Sequence, residues 1–144
     1  MTEKKRILLI YPPSPVMNRE DRCQQPTKDL IVIPPLPPTD LMYLASVAEQ
    51  IGFEAKIEDY SQGGDLEYDL REFRPDYLVV NIATPTLEND LDAVKRAKEL
   101  NPHIVTIAKG AAFLTLGEKI LNEHDFLDFG ILGEAEDTLK EILE

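Results

Sequence analysis

Five short apolar runs, each followed by a stretch with helical spacing, constrain this chain more than any other feature. Residues 7–10, 54–58, 77–82, 104–108 and a segment within 126–132 read as strands. Residues 39–51, 65–73, 86–100, 115–122 and 136–143 read as helices. Strands that alternate with helices require parallel pairing, and the near-continuous apolar run at 77–82 suits a strand covered on both faces. The expected fold class is α/β: a five-stranded doubly wound parallel sheet in three layers, Rossmann-like or flavodoxin-like, in the order 2-1-3-4-5.

Local signals set the helix limits. Thr39 is the expected cap of the first helix, whose inward face is Leu41, Leu44, Ala45, Ala48 and Ile51, and Gly52 ends it. Thr86 is the expected cap of the third. Thr115-Leu116-Gly117-Glu118 has capping-box spacing and marks the start of the fourth. Eight of the eleven prolines fall within residues 12–38, which excludes a helix there. That segment is expected to be a long loop, a feature usually tied to function.

In a doubly wound sheet, ligands bind beyond the carboxyl ends of the strands. Here those ends lead into Tyr11-Pro12-Pro13, Asp59-Tyr60-Ser61, Ala83-Thr84-Pro85-Thr86, Lys109-Gly110-Ala111-Ala112-Phe113 and Gly133-Glu134-Ala135-Glu136. A dinucleotide site needs glycines after the first strand, and prolines block the approach of a pyrophosphate there. A P-loop and a flavin phosphate loop are absent for the same reason. A metal-dependent phosphate-accepting site needs acidic residues after the first strand and an Asp after the third, where this chain has Tyr11 and Asn81. What remains is an edge of small residues and hydroxyls, expected to be free of charge, with one glycine turn at Gly110 that lets a ligand approach backbone. Leu36, Tyr11 and Phe113 are candidates for an apolar wall. Glu88, Asp90 and Asp92 are expected on the solvent face of the third helix, and Glu134 and Glu136 at a helix N-terminus, where negative charge is favoured.

The remaining composition narrows the function classes. A net charge of −12 over 144 residues argues against nucleic acid and against an anionic membrane surface. Cys23 is the sole cysteine, so no disulfide framework or cysteine cluster lies within the chain. No apolar run reaches the roughly 18 residues of a membrane span, and the opening MTEKKR leads into too short a run for a signal peptide. A cytoplasmic location is expected. His103 and His124 precede the fourth and fifth strands and so belong to the amino edge, away from any ligand.

Four stretches carry a resemblance to a known family. They are RILLIYPP with the proline-rich segment after it; PPTDLMYLASVAEQIGFEAKIEDY; RPDYLVVNIATPT followed later by AKGAAFLT; and DFGILGEAEDTLKEIL. In this order and spacing the chain resembles the N-terminal cobalamin (B12)-binding domain of B12-dependent radical S-adenosylmethionine (SAM) enzymes. The likeness covers nearly the whole chain, residues 1–144 being read as one domain, and implies either a domain cut from a longer chain carrying a C-terminal radical SAM domain or a stand-alone relic of one. It implies cobalamin held at the carboxyl edge by Tyr11, Pro12, Pro13, Asn81, Ala83, Thr84, Thr86, Gly110, Ala111, Phe113, Gly133 and Glu134. Many relatives carry Asp-x-His-x-x-Gly after the first strand, whose His ligates cobalt. Here that place reads Tyr11-Pro12-Pro13-Ser14-Pro15-Val16, so a His-off cobalamin is implied. The 4Fe-4S cluster and SAM would belong to the missing domain, and a methyltransferase-type reaction to the full-length protein; the domain alone would catalyse nothing. Two alternatives stay open. One is a flavodoxin-like binding or interaction domain without corrinoid; the other is a small-ligand enzyme with Lys109 as its sole reactive side chain.

Overall fold

A computed structural model describes residues 3–15, 17–20, 23–26 and 36–144. Its centre is a parallel sheet of five strands: β1 (Arg6–Tyr11), β4 (Glu54–Asp59), β5 (Tyr77–Asn81), β6 (Val105–Lys109) and β7 (Phe129–Gly130). They lie in the order β4-β1-β5-β6-β7, which is the expected 2-1-3-4-5. The helices are α1 (Thr39–Gln50), α2 (Leu66–Phe73), α3 (Leu87–Leu100), α4 (Ala112–Glu123) and α5 (Glu136–Leu143).

Side chains of successive strand residues point to opposite faces, so each inner strand feeds two cores. Leu8, Ile10, Leu78, Val80 and Ala108 meet α2, α3 and α4 through Leu66, Leu70, Leu91, Val94, Phe113 and Ile120. Ile7, Leu9, Val79 and Ile107 meet α1 and α5 through Leu41, Leu44, Ala48, Leu139 and Leu143. This alternation explains why β1 is apolar from Ile7 to Ile10 and β5 from Leu78 to Val80. It produces the three layers.

Three details depart from the sequence reading. Residues 12–38 are not all loop: β2 (Met17–Glu20) and β3 (Cys23–Pro26) form an antiparallel hairpin, a sheet of its own. Residues 27–35 lie outside the described residues. The fourth helix starts at Ala112 rather than at Thr115, because the Gly110 turn feeds it directly: the amide N–H of Phe113 donates to the Gly110 carbonyl at 3.0 Å. Pro38 rather than Thr39 holds the cap position of α1, and Thr86, the cap residue of α3 as expected, makes no side-chain cap bond among the described residues. Gly52, at φ 99°, ends α1 as expected.

Candidate functional site

Register brings Asn81 and Lys109 side by side at the carboxyl ends of β5 and β6. Asp40, in the first turn of α1, reaches across both. Its carboxylate accepts the Tyr11 phenol, the Asn81 Nδ2 amide at 2.9 Å and the Lys109 ammonium at 2.7 Å. Burial works against ionisation of Asp40. The adjacent Lys109 charge outweighs it, with hydrogen bonds from Lys109, Tyr11 and Asn81, and holds the carboxyl below the usual carboxylate range. Burial, then the Asp40 carboxylate, push the Tyr11 phenol well above its ordinary value.

A second cluster abuts the first. Arg19 of β2 forks onto Asp90 of α3, with Nη1 to Oδ2 at 2.9 Å and Nη2 to Oδ1 at 3.0 Å. The two side chains are 1% and 0% exposed. The guanidinium also donates to the Asn81 carbonyl at 3.0 Å, to Ser14 Oγ at 2.7 Å and to Thr86 Oγ1 at 3.3 Å. It lies 5.8 Å from the Tyr11 ring centroid. Asp90 further accepts the Ala83 amide N–H at 2.9 Å and the Thr86 hydroxyl at 2.8 Å. Asn81 joins the clusters, its side chain bound to Asp40 and its carbonyl to Arg19. Two buried atoms in this network have no partner among the described residues, Arg19 Nε and Asn81 Oδ1.

The expectation of an edge without charge is therefore overturned. Two ion pairs sit where the strands finish, and Asp90 faces inward rather than to solvent. The helical period accounts for Asp90: it lies three residues after Leu87 and four before Val94, on the apolar stripe itself. That spacing was a usable signal. Arg19 carried none, since nothing local ties a residue of the proline-rich segment to α3. Asp40 looked like an ordinary acidic residue of a first helical turn.

Beside the network, an open cleft of about 270 Å³ lies between α1, the β6–α4 turn and the β7–α5 turn. Asp40, Leu44, Lys109, Gly110, Leu114, Gly133, Glu134, Ala135 and Glu136 line it. Leu114, in the first turn of α4, and Leu132, just past the end of β7, stand exposed by 62% and 64%. Among the expected residues, Gly110, Gly133 and Glu134 meet in this cleft, while Tyr11, Asn81, Ala83 and Thr86 belong to the hydrogen-bonded network next to it. Pro12 is buried, Pro13 and Ala111 half-buried, and Thr84 exposed. Phe113 does not reach the rim: it is 2% exposed and its ring fills the space left by Gly117 and Gly130. Leu114 takes the rim place beside it, and Leu36 is exposed. Lys109, paired and only 8% exposed, is not a free nucleophile. His103 and His124 lead into β6 and β7 at the amino edge, as expected. Among the described residues, no three His, Cys, Asp or Glu side chains converge as a metal-ion site. No helix among them is long and apolar enough to cross a membrane.

Comparison with known proteins gives this edge a context. The chain is 25% identical over 113 residues to the anaerobic magnesium-protoporphyrin IX monomethyl ester cyclase of Cereibacter sphaeroides, covering 75% of this chain and 18% of that protein. It superposes with a TM-score of 0.70 on the radical S-adenosylmethionine methyltransferase TsrM of Kitasatospora setae, at 20% identity over 97% of this chain and 25% of that one. It also superposes, with a TM-score of 0.60 and 18% identity, on a CheY-like response regulator receiver domain of Methanospirillum hungatei, covering 98% of this chain and 94% of that one. At those identities the two superpositions establish the fold alone. The sequence itself discriminates: the B12 binding domain family model matches residues 34–143, from just before α1 to the end of α5. The chain belongs to the family of B12-binding domains.

Proposed function

We propose that this domain holds cobalamin in its His-off form at the carboxyl edge of the sheet and presents it to a radical SAM domain of the same full-length protein, a methyltransferase-type enzyme. The family match carries the reading. The residues at the edge are compatible with the group. A corrin ring is broad and apolar across its faces and fringed with amides. The cleft at Lys109 and Gly110 is lined by the exposed Leu114, and Asn81 Oδ1 is a buried acceptor, without a partner among the described residues, that an amide donor would satisfy. Asp40, Lys109, Gly110, Leu114, Gly133 and Glu134 would hold the group. His103 and His124 are the only histidines of the chain, and both lie at the far edge, which supports a form without protein imidazole on the metal.

Bound cobalamin supplies a cobalt centre able to carry a methyl group. The chain's own part is to bind and orient. The Gly110 turn admits a ligand close to backbone, and the Asp40–Lys109 pair fixes donors and acceptors along the rim. The chain spans 18% of its curated relative and 25% of the TsrM chain, so the reaction, the 4Fe-4S cluster and the SAM site would lie in sequence beyond this domain. Titration of the purified domain with hydroxocobalamin tests the reading. Retention of the cofactor with a base-off absorption spectrum is expected. A spectrum identical to free cofactor at saturating protein would refute it.

A further inference from the structure

We propose that Arg19 and Asp90 form an autoinhibitory latch that closes part of the cofactor edge and opens when the corrinoid is loaded. The inference rests on the corrinoid reading above and adds a regulation to that site.

Its position comes first. The sheet order reverses between β1 and β5, and in open α/β sheets the crevice outside that reversal is where ligands enter. The Arg19 guanidinium occupies this crevice. It takes the Asn81 carbonyl at the end of β5 and lies against the Tyr11 ring at the end of β1. A ligand reaching Asn81 from this side meets the arginine.

Arg19 belongs to the β2–β3 hairpin, outside the matched residues 34–143, and that hairpin forms a separate sheet rather than extending the main one. Its buried guanidinium is a tie between the hairpin and the rim.

The latch is also built to release. When Arg19 leaves, Asp90 keeps the Ala83 amide and the Thr86 hydroxyl, and sits in the first turn of α3, where the helix dipole favours a carboxylate. Asp90 is thus not stranded by opening. In the closed state Arg19 Nε and Asn81 Oδ1 are buried without partners among the described residues, a cost that opening relieves for both. A ligand shifts such an equilibrium to the extent that it binds the open state better.

The test compares hydroxocobalamin titrations of the full chain and of the Arg19→Met/Asp90→Asn double variant, which removes both charges and keeps an acceptor for Ala83. The double variant should bind about tenfold or more tightly, because the fraction of binding-competent protein rises. Hydrogen exchange on the unaltered chain provides a readout that needs no variant. The backbone amides of residues 17–20 should exchange faster once hydroxocobalamin is bound. Equal or weaker binding by a double variant with an unchanged circular dichroism spectrum, or slower exchange in the hairpin on loading, overturns the latch and leaves the corrinoid reading standing. No binding by either protein overturns both.

Discussion

At the scale of single residues, Gly110 is the position with the least tolerance. Its φ of 124° is one that side chains rarely adopt, and a Cβ built there would stand 2.3 Å from the carbonyl oxygen of Ile82. That oxygen is backbone, so it has no rotamer by which to yield. Gly110→Ala should destabilise the domain by roughly 3 kcal/mol, from backbone strain together with the clash. Urea denaturation of the two proteins checks this. The importance of Gly110 was readable in the sequence, because only one glycine follows the fourth strand. Its role as a close contact between the β5 and β6 ends was not, since Ile82 follows a different strand, β5. Asp40 presents the complementary case. Nothing local distinguishes it from any acidic residue in a first helical turn, yet it binds Tyr11, Asn81 and Lys109. Asp40→Ala would leave the ammonium of Lys109 nearly buried without its partner. A loss of about 2 kcal/mol in the same denaturation measurement is expected.

At the scale of elements, the weakest member of the sheet is β7, two residues long. A strand that short contributes few ladder bonds, and Asp128 supplements them. Its carboxylate accepts the Thr106 amide of β6 at 2.8 Å and the Lys98 ammonium of α3 at 2.7 Å. Asp128→Ala should therefore lower stability by about 1–2 kcal/mol through an unsatisfied Thr106 N–H. Hydrogen exchange should show the loss concentrated at the β6–β7 edge. The other elements were legible because their apolar periods are local. Two, three or four residues of spacing suffice to tell strand from helix, and the strands at 54–58 and 77–82 match β4 and β5 to within a residue. The start of α4 was misplaced because the Thr115 capping-box pattern competes with a turn whose geometry depends on β5. The β2–β3 hairpin was missed because proline content argues against a helix without arguing against a hairpin.

At the scale of the whole molecule, the rim couples stability to pH. Asp40 has a folded-state pKa held below its unfolded value, so its stabilising contribution is complete above about pH 4 and is lost as pH falls through the lower folded value. Asp69, bound to Lys56 and Tyr60, and Asp128 are depressed in the same direction and add to the acid slope. Denaturation midpoints measured from pH 6 down to about pH 2.5 should converge for the native chain and Asp40→Asn. A gap between them that persists unchanged at the acid end would contradict the assignment. The sequence alone determined the α/β class, the strand order and the family resemblance, because these rest on local periods and on motifs that survive as contiguous text. The charge at the carboxyl edge was decided only by the tertiary structure. Lys109 and Asp40 are 69 residues apart, and Arg19 and Asp90 are 71. Such pairs meet only once the sheet order and register have placed the ends of β1, β5 and β6 together. No short-range propensity encodes that meeting, and so the edge that reads as neutral along the chain is ionic in the fold.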